Sequence, residues 1–284
     1  MTETKIPKII HYFYDSNADI FEKNNRPQLR MCYTSWKMFC PDYEIMFWHD
    51  KMPEFQEMLK ASRFLREAYR LKIWAFVSDY VRFYALYKYG GIYLDTDVQI
   101  IKNIDEFLDN EFFCSVYGCM TQPNYLVEPA LTGSVKGNTI AKIMLDYYNS
   151  EEIFNAKNIM LPVIFRQILQ KNNLLPENKN YLEDSLKPIM EVDFDEYKSQ
   201  EIYKGTNLTL YPMFYFCPSW EFHGEKTVLQ ETHAIHWCQS SWWYTLKNKI
   251  DVYELQHLGK AKGLKKLYRK IRIILYRIAN SCCF

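Results

Sequence analysis

Apolar residues in the first hundred positions fall into short runs and one long helical stripe. Ile6 to Tyr14 is an apolar run opened by Pro7, and it predicts a buried strand. Residues 24–36 suggest a helix, Pro41-Asp42 marks a turn, and Tyr43 to Trp48 predicts a second strand ending at His49-Asp50. Residues 51–71 read as helical. The clearest pattern runs from Ile73 to Tyr89, where Ile73, Trp74, Val77, Val81, Tyr84 and Ala85 share one stripe at helical spacing. Gly90-Gly91 stops that helix, as glycine does just past a C-terminus. Ile92-Tyr93-Leu94 then forms a short strand that runs into Asp95-Thr96-Asp97, and Val98 to Ile101 stays extended.

Further along, Phe112 to Tyr117 predicts a strand, and residues 138–148 and 159–170 predict helices. Residues 171–180 read as a polar loop, and His233 to Trp237 as a final strand followed by a loop over 238–243. There are no repeats and no Pro-, Gly- or Ser-rich linker. Alternating strands and helices argue for an α/β fold with a mostly parallel sheet. Residues 1–254 are expected to form one domain and residues 255–284 a separate helical tail.

Composition adds two constraints. Hydrophobic residues make up 48% of the 284, so the chain can bury a full core. Only nine residues are glycine, which makes an adjacent pair informative. The formal charge of +1 argues against a nucleic-acid partner, but it hides an asymmetry. Eight Lys/Arg and no acid lie from Lys260 onward, leaving 27 basic against 34 acidic residues before it. The eight cysteines form no C-x-x-C pair, which argues against structural zinc. Met1 to Lys8 is polar, without the apolar core of a signal peptide, and no apolar run is long enough to span a bilayer. A cytoplasmic protein with reduced thiols is expected.

The chemistry centres on Asp95 and Asp97. Ligands of open α/β sheets bind beyond the carboxyl ends of strands. Two carboxylates one residue apart in a bend can converge on Mg²⁺ or Mn²⁺, which prefer oxygen ligands and offset the charge of a diphosphate. An isolated D-x-D also fits a solvated turn. A phosphatase D-x-D-x-[TV] motif is disfavoured because Gln99 holds its fifth position. Asp79 and Arg82 are neighbours on the helix, on the face opposite the apolar stripe. They could form a surface ion pair, or present a carboxylate to a sugar and a guanidinium to a phosphate. His236, beside Trp237, could be a core residue or a ligand.

The run Ser78-Asp79-Tyr80-Val81-Arg82 … Tyr89-Gly90-Gly91-Ile92-Tyr93-Leu94-Asp95-Thr96-Asp97 resembles the signature of the D-x-D sugar transferases, glycosyltransferase family 32. Ile6-Pro7-Lys8-Ile9-Ile10-His11-Tyr12 is similar to that family's opening strand, Ser35-Trp36 … Trp48 to its second block, and His233 … His236-Trp237 … Ser240-Ser241-Trp242 to its closing block. The resemblance implies a GT-A fold, a Mn²⁺- or Mg²⁺-dependent nucleotide-sugar donor, and retention at the anomeric carbon. By position it implies that Asp95 and Asp97 hold the metal, with His236 or Ser241 nearby. Asp79 and Arg82 would hold the donor sugar and phosphate as the catalytic pair. Ile9, His11 and Tyr12 would line the nucleobase pocket; Ser78, Tyr93, Ser241 and Trp242 would complete the donor site. The Gly-Pro pair that precedes a helix in many family members corresponds here to Leu161-Pro162, without the glycine. Residues 120–230 therefore give little hold, and they are expected to choose the acceptor. That acceptor is expected to be a glycan, carried on a lipid, in capsular or related polysaccharide synthesis. A toxin-like protein glycosyltransferase and a non-catalytic carbohydrate binder are the alternatives.

In the tail, Leu264, Leu267, Tyr268, Ile271, Ile274, Leu275 and Ile278 keep helical spacing, with Lys265, Lys266, Arg269, Lys270, Arg272 and Arg277 on the other side. A basic amphipathic helix of this kind is expected at the inner face of the cell membrane; packing on the acidic body or a dimer contact are the alternatives.

Overall fold

The structure, a computed structural model, describes residues 5–16, 27–121, 125–156, 158–176, 194–218 and 227–238. Nine strands are described: β1 (Ile9–Phe13), β2 (Glu44–Trp48), β3 (Gly91–Leu94), β4 (Val98–Ile100), β5 (Phe112–Tyr117), β6 (Leu126–Ser134), β7 (Tyr203–Gly205), β8 (Leu208–Tyr211) and β9 (Ala234–His236). The α-helices among the described residues are α1 (Pro27–Phe39), α2 (Pro53–Ala61), α3 (Arg63–Arg70), α4 (Trp74–Tyr89), α5 (Thr139–Asn149), α6 (Leu161–Lys171) and α7 (Phe194–Lys198).

Seven strands form one sheet in the order β2-β1-β3-β6-β5-β8-β7. β1 pairs in parallel with β2 and β3, and β5 with β8. β6 is antiparallel to both β3 and β5, and β7 is antiparallel to β8. Following these directions across the sheet, only β6 and β7 run against the rest, so the fold is the expected α/β type with a mostly parallel sheet. Alternate residues feed opposite apolar layers, as the period of a strand requires. Phe13 and Tyr93 pack with α2 to α6, while Ile10, Tyr12, Ile92 and Leu94 pack with α1.

The elements read from the pattern are present, with boundaries moved by a few residues. Residues 51–71 are two helices and not one, broken at Ser62. The Ser62 hydroxyl accepts from Leu65 N (3.2 Å), capping α3, and donates to Tyr148 O (2.8 Å). β6, β7, β8 and α7 lie in the stretch that the pattern left unassigned. Among the described residues no helix is long and apolar enough to cross a membrane. The tail, residues 255–284, lies outside the described residues.

Candidate active site at the end of the third strand

Helix α4 delivers two charged side chains, and the Gly90-Gly91 turn fixes where the next strand starts. Both glycines have positive φ (71° and 102°). A Cβ on Gly91 would sit 2.6 Å from Ile9 O. The close approach of β3 to β1 therefore depends on a residue without a side chain. Asp95 follows directly, its N–H donating to Ala130 O (2.8 Å) in β6.

The sequence reading placed Asp79 and Arg82 on the outer face of α4. They are inside. Arg82 is 1% exposed and Asp79 8%. The helix is buried on nearly all sides, so its apolar stripe does not mark a single inward face. Arg82 Nη2 donates to Asp95 Oδ1 at 2.5 Å, Nη1 lies 3.7 Å from Asp79 Oδ1, and the guanidinium covers the Tyr93 ring at 4.9 Å. Arg82 Nε is buried without a hydrogen-bond partner among the described residues. Burial raises the Asp79 pKa to about 7, opposed by the Arg82 charge. Burial also raises that of Asp95, again opposed by Arg82.

The ribbon of β4 and β9 supplies the third corner. Val98 pairs with His236, and Trp237 N donates to Asp97 O (3.1 Å). His236 Nε2 therefore comes to 3.4 Å from Asp97 Oδ1. Ligand atoms of Asp95, Asp97 and His236 all lie within 4.8 Å of one another, on half-buried side chains. Two carboxylates and an imidazole at that separation suit a divalent cation.

A further carboxylate, Glu128 of β6, lies behind this cluster. Its Oε1 accepts from Ala130 N (3.0 Å) and is 3.5 Å from His236 Nδ1. Burial raises its pKa to about 7, with His236 opposing. The sequence reading passed over Glu128. An acid inside the run Leu126-Val127-Glu128-Pro129-Ala130-Leu131 was the available signal.

The expected nucleobase-pocket residues fare differently. His11 is fully buried. Its Nε2 is 2.8 Å from Gly90 O, and its Nδ1 accepts from Trp48 Nε1 (3.1 Å). Burial lowers its pKa to about 4. Both ring nitrogens serve the core, so His11 has no polar atom to offer a nucleotide, which corrects that expectation. Tyr12 is buried and stacks on Phe47 at 5.0 Å; Ile9 is half-buried. Ser78 donates to Ala75 O (2.7 Å) within its own helix. Ser241 and Trp242 lie outside the described residues.

Comparison with known proteins bears on the segment that builds this site. Two curated relatives match part of the chain. Inositol phosphoceramide mannosyltransferase 3 of Schizosaccharomyces pombe is 37% identical over 107 residues, 36% of this chain and 27% of the relative. An uncharacterized glycosyltransferase of Acanthamoeba polyphaga mimivirus is 30% identical over 117 residues, 39% of this chain and 43% of the relative. The chain thus spans less than half the length of either. Among solved structures, the PaToxG glycosyltransferase has a TM-score of 0.47 at 20% identity, covering 59% of this chain and 70% of its own. A glycosyltransferase involved in glycosylation of the major capsid of PBCV-1 has a TM-score of 0.41 at 13% identity, covering 87% and 98%. The family model described as a glycosyltransferase sugar-binding region containing a DXD motif matches residues 27–114, which include Asp79, Arg82, Asp95 and Asp97. Residues 27–114 are thus similar to the sugar-binding region, containing a DXD motif, of glycosyltransferases.

Proposed function

We propose that the chain is a GT-A, metal-dependent, retaining glycosyltransferase that moves a sugar from a nucleotide-diphosphate donor to a glycan. The observation that carries this reading is the convergence of Asp95, Asp97 and His236 within 4.8 Å at the end of β3. Asp95, Asp97 and His236 would hold Mn²⁺ or Mg²⁺. When bound, that cation supplies charge neutralisation for a diphosphate leaving group.

The chain's own residues do the rest. Arg82 is held by Asp95 and Asp79, so its guanidinium is oriented before substrate arrives. A buried Nε without a partner among the described residues is a donor that a phosphate or sugar oxygen would satisfy. Asp79, in contact with Arg82, orients the guanidinium and is not asked to attack the sugar. The Asp79 carboxylate faces the Arg82 guanidinium at 3.7 Å, which engages it away from attack. We therefore favour attack by the acceptor hydroxyl from the face that the diphosphate leaves. A UDP-sugar is the favoured donor. The lipid carried in the name of the fission-yeast relative supports a lipid-linked acceptor and a place at a membrane surface; capsular or related polysaccharide synthesis is the proposed setting.

The test is a panel of UDP- and GDP-sugars, assayed for hydrolysis with and without Mn²⁺. Release of the nucleotide should need the cation and fall at least about 100-fold in Asp97→Asn. An Asp97→Asn chain as active as the unmodified one would overturn the reading. Sugar binding without nucleotide affinity or metal dependence would favour a carbohydrate binder instead.

A further inference from the structure

We propose that Cys217, Cys238 and Nδ1 of His236 form a second cation site, of the soft zinc class, back to back with the Asp95–Asp97 site. The sequence argued against structural zinc because no two cysteines form a C-x-x-C pair. The fold removes that objection. Cys217 closes a short turn, its N–H donating to Met213 O (2.8 Å), and His233 N donates to Tyr215 O (2.8 Å). These bonds dock that turn against the start of β9, and Cys238 lies two residues past the end of β9. Cys217 is fully buried and Cys238 half-buried.

The spacing of the donor atoms is the argument. Cys238 Sγ is 3.5 Å from His236 Nδ1, and Cys217 Sγ is 3.9 Å from it. A tetrahedral zinc ion with ordinary bond lengths separates sulfur from nitrogen by roughly 3.6 Å. The two sulfur–nitrogen edges that meet at Nδ1 are therefore close to those of an assembled site. The ligand atoms of Cys217, His236 and Cys238 lie within 4.8 Å of one another. Cys238 also adopts φ of 45°, a left-handed conformation uncommon outside glycine. Such strain is held only where the surroundings over-determine it.

The two sites share one ring. Hard cations take oxygen ligands and thiolates select soft ones, so Asp95–Asp97 and Cys217–Cys238 would sort different ions. A soft ion on Nδ1 leaves the proton on Nε2, which faces Asp97 Oδ1 at 3.4 Å. His236 then donates to Asp97 and no longer offers it a neighbouring lone pair. Loading the thiol site would thus move His236 from ligand to supporting donor at the DXD site.

Cobalt(II) reads this directly. The full chain, carrying Cys282→Ser and Cys283→Ser and stripped with chelator, is titrated with Co²⁺ and followed for thiolate-to-cobalt absorption. One equivalent should saturate the signal, and Zn²⁺ should displace it. Cys238→Ala should weaken it at least about 100-fold, while Asp97→Asn should leave its intensity unchanged. Cys217→Ser gives a second variant should the first fold poorly. Absence of the signal in the chain with both cysteines, or its persistence unchanged in both variants, overturns the inference. Mn²⁺ binding that Asp97→Asn abolishes, seen without any cobalt–thiolate signal, would sink this inference and leave the proposed function standing.

Discussion

Arg82 is where the chemistry and the stability of the site meet. Its guanidinium is almost wholly buried between Asp95 and Asp79. Removing it leaves two acids without their counter-charge. Arg82→Ala should cost about 3–5 kcal/mol in urea unfolding. Arg82→Lys keeps the charge but loses the fork, so it should fold better than the alanine variant yet still lose at least about 100-fold in donor turnover. Equal turnover of the lysine variant and the unmodified chain would remove Arg82 from the donor site. Asp79 gives a pH signature. Its folded pKa is raised to about 7, above an unfolded value of about 3.9. Between those values the folded chain keeps a proton that the unfolded chain has lost. Asp79 should therefore make stability fall with rising pH across that window, by at most about 1.4 kcal/mol per pH unit, and stay level above it. Asp79→Asn should flatten the slope; an unchanged slope would contradict the assignment. The i, i+3 spacing of this pair was legible in the sequence. Its burial was not, because a helix packed on nearly every side presents the same stripe as an amphipathic one.

At the scale of elements, legibility followed local chemistry. The passage from α4 through Gly90-Gly91 into β3 was readable because helix periodicity, a C-terminal glycine and an apolar triplet all agree. β6 was not, although it is central. Its nine residues include Pro129 and Gly133, which count against an interior strand. The pairing explains how they are tolerated. The β5–β6 register shifts between Phe113 and Ser115, and Pro129 falls in that irregular stretch, where no ladder N–H is needed. Glu128 was lost with β6, and the meeting of Cys217 with Cys238 depends on chain folding that no local pattern encodes. The α4–β3 turn carries a prediction of its own. Gly91→Ala places a methyl 2.6 Å from Ile9 O at a φ of 102°. The combined strain and overlap should cost about 2–4 kcal/mol in the urea transition. It should also weaken Mn²⁺ binding, because Asp95 and Asp97 take their position from β3. A variant with wild-type stability would mean that β1 and β3 approach less closely than described.

For the whole molecule, the neutral total charge is a cancellation. Before Lys260 there are 27 basic and 34 acidic residues, and from Lys260 onward eight basic and none acidic. An acidic body suits a site that recruits a cation before a diphosphate, since the cation reverses the local field that would repel the donor. The basic segment is the natural partner either of that body or of an anionic bilayer, and the two readings differ in their response to salt and lipid. Membrane attraction is worth about 1 kcal/mol per Lys or Arg near an anionic surface. Replacing Lys265, Lys266, Arg269 and Lys270 with Gln in the full chain should therefore cost about 4 kcal/mol, close to a thousandfold in partition onto phosphatidylserine-rich vesicles. Donor hydrolysis in solution should be unchanged if the segment serves only to reach the bilayer. Unchanged vesicle binding would refute the membrane role. A fall in thermal stability with no vesicle binding by either chain would instead place the basic segment on the acidic body, where its charges stabilise the fold and have no part in reaching an acceptor.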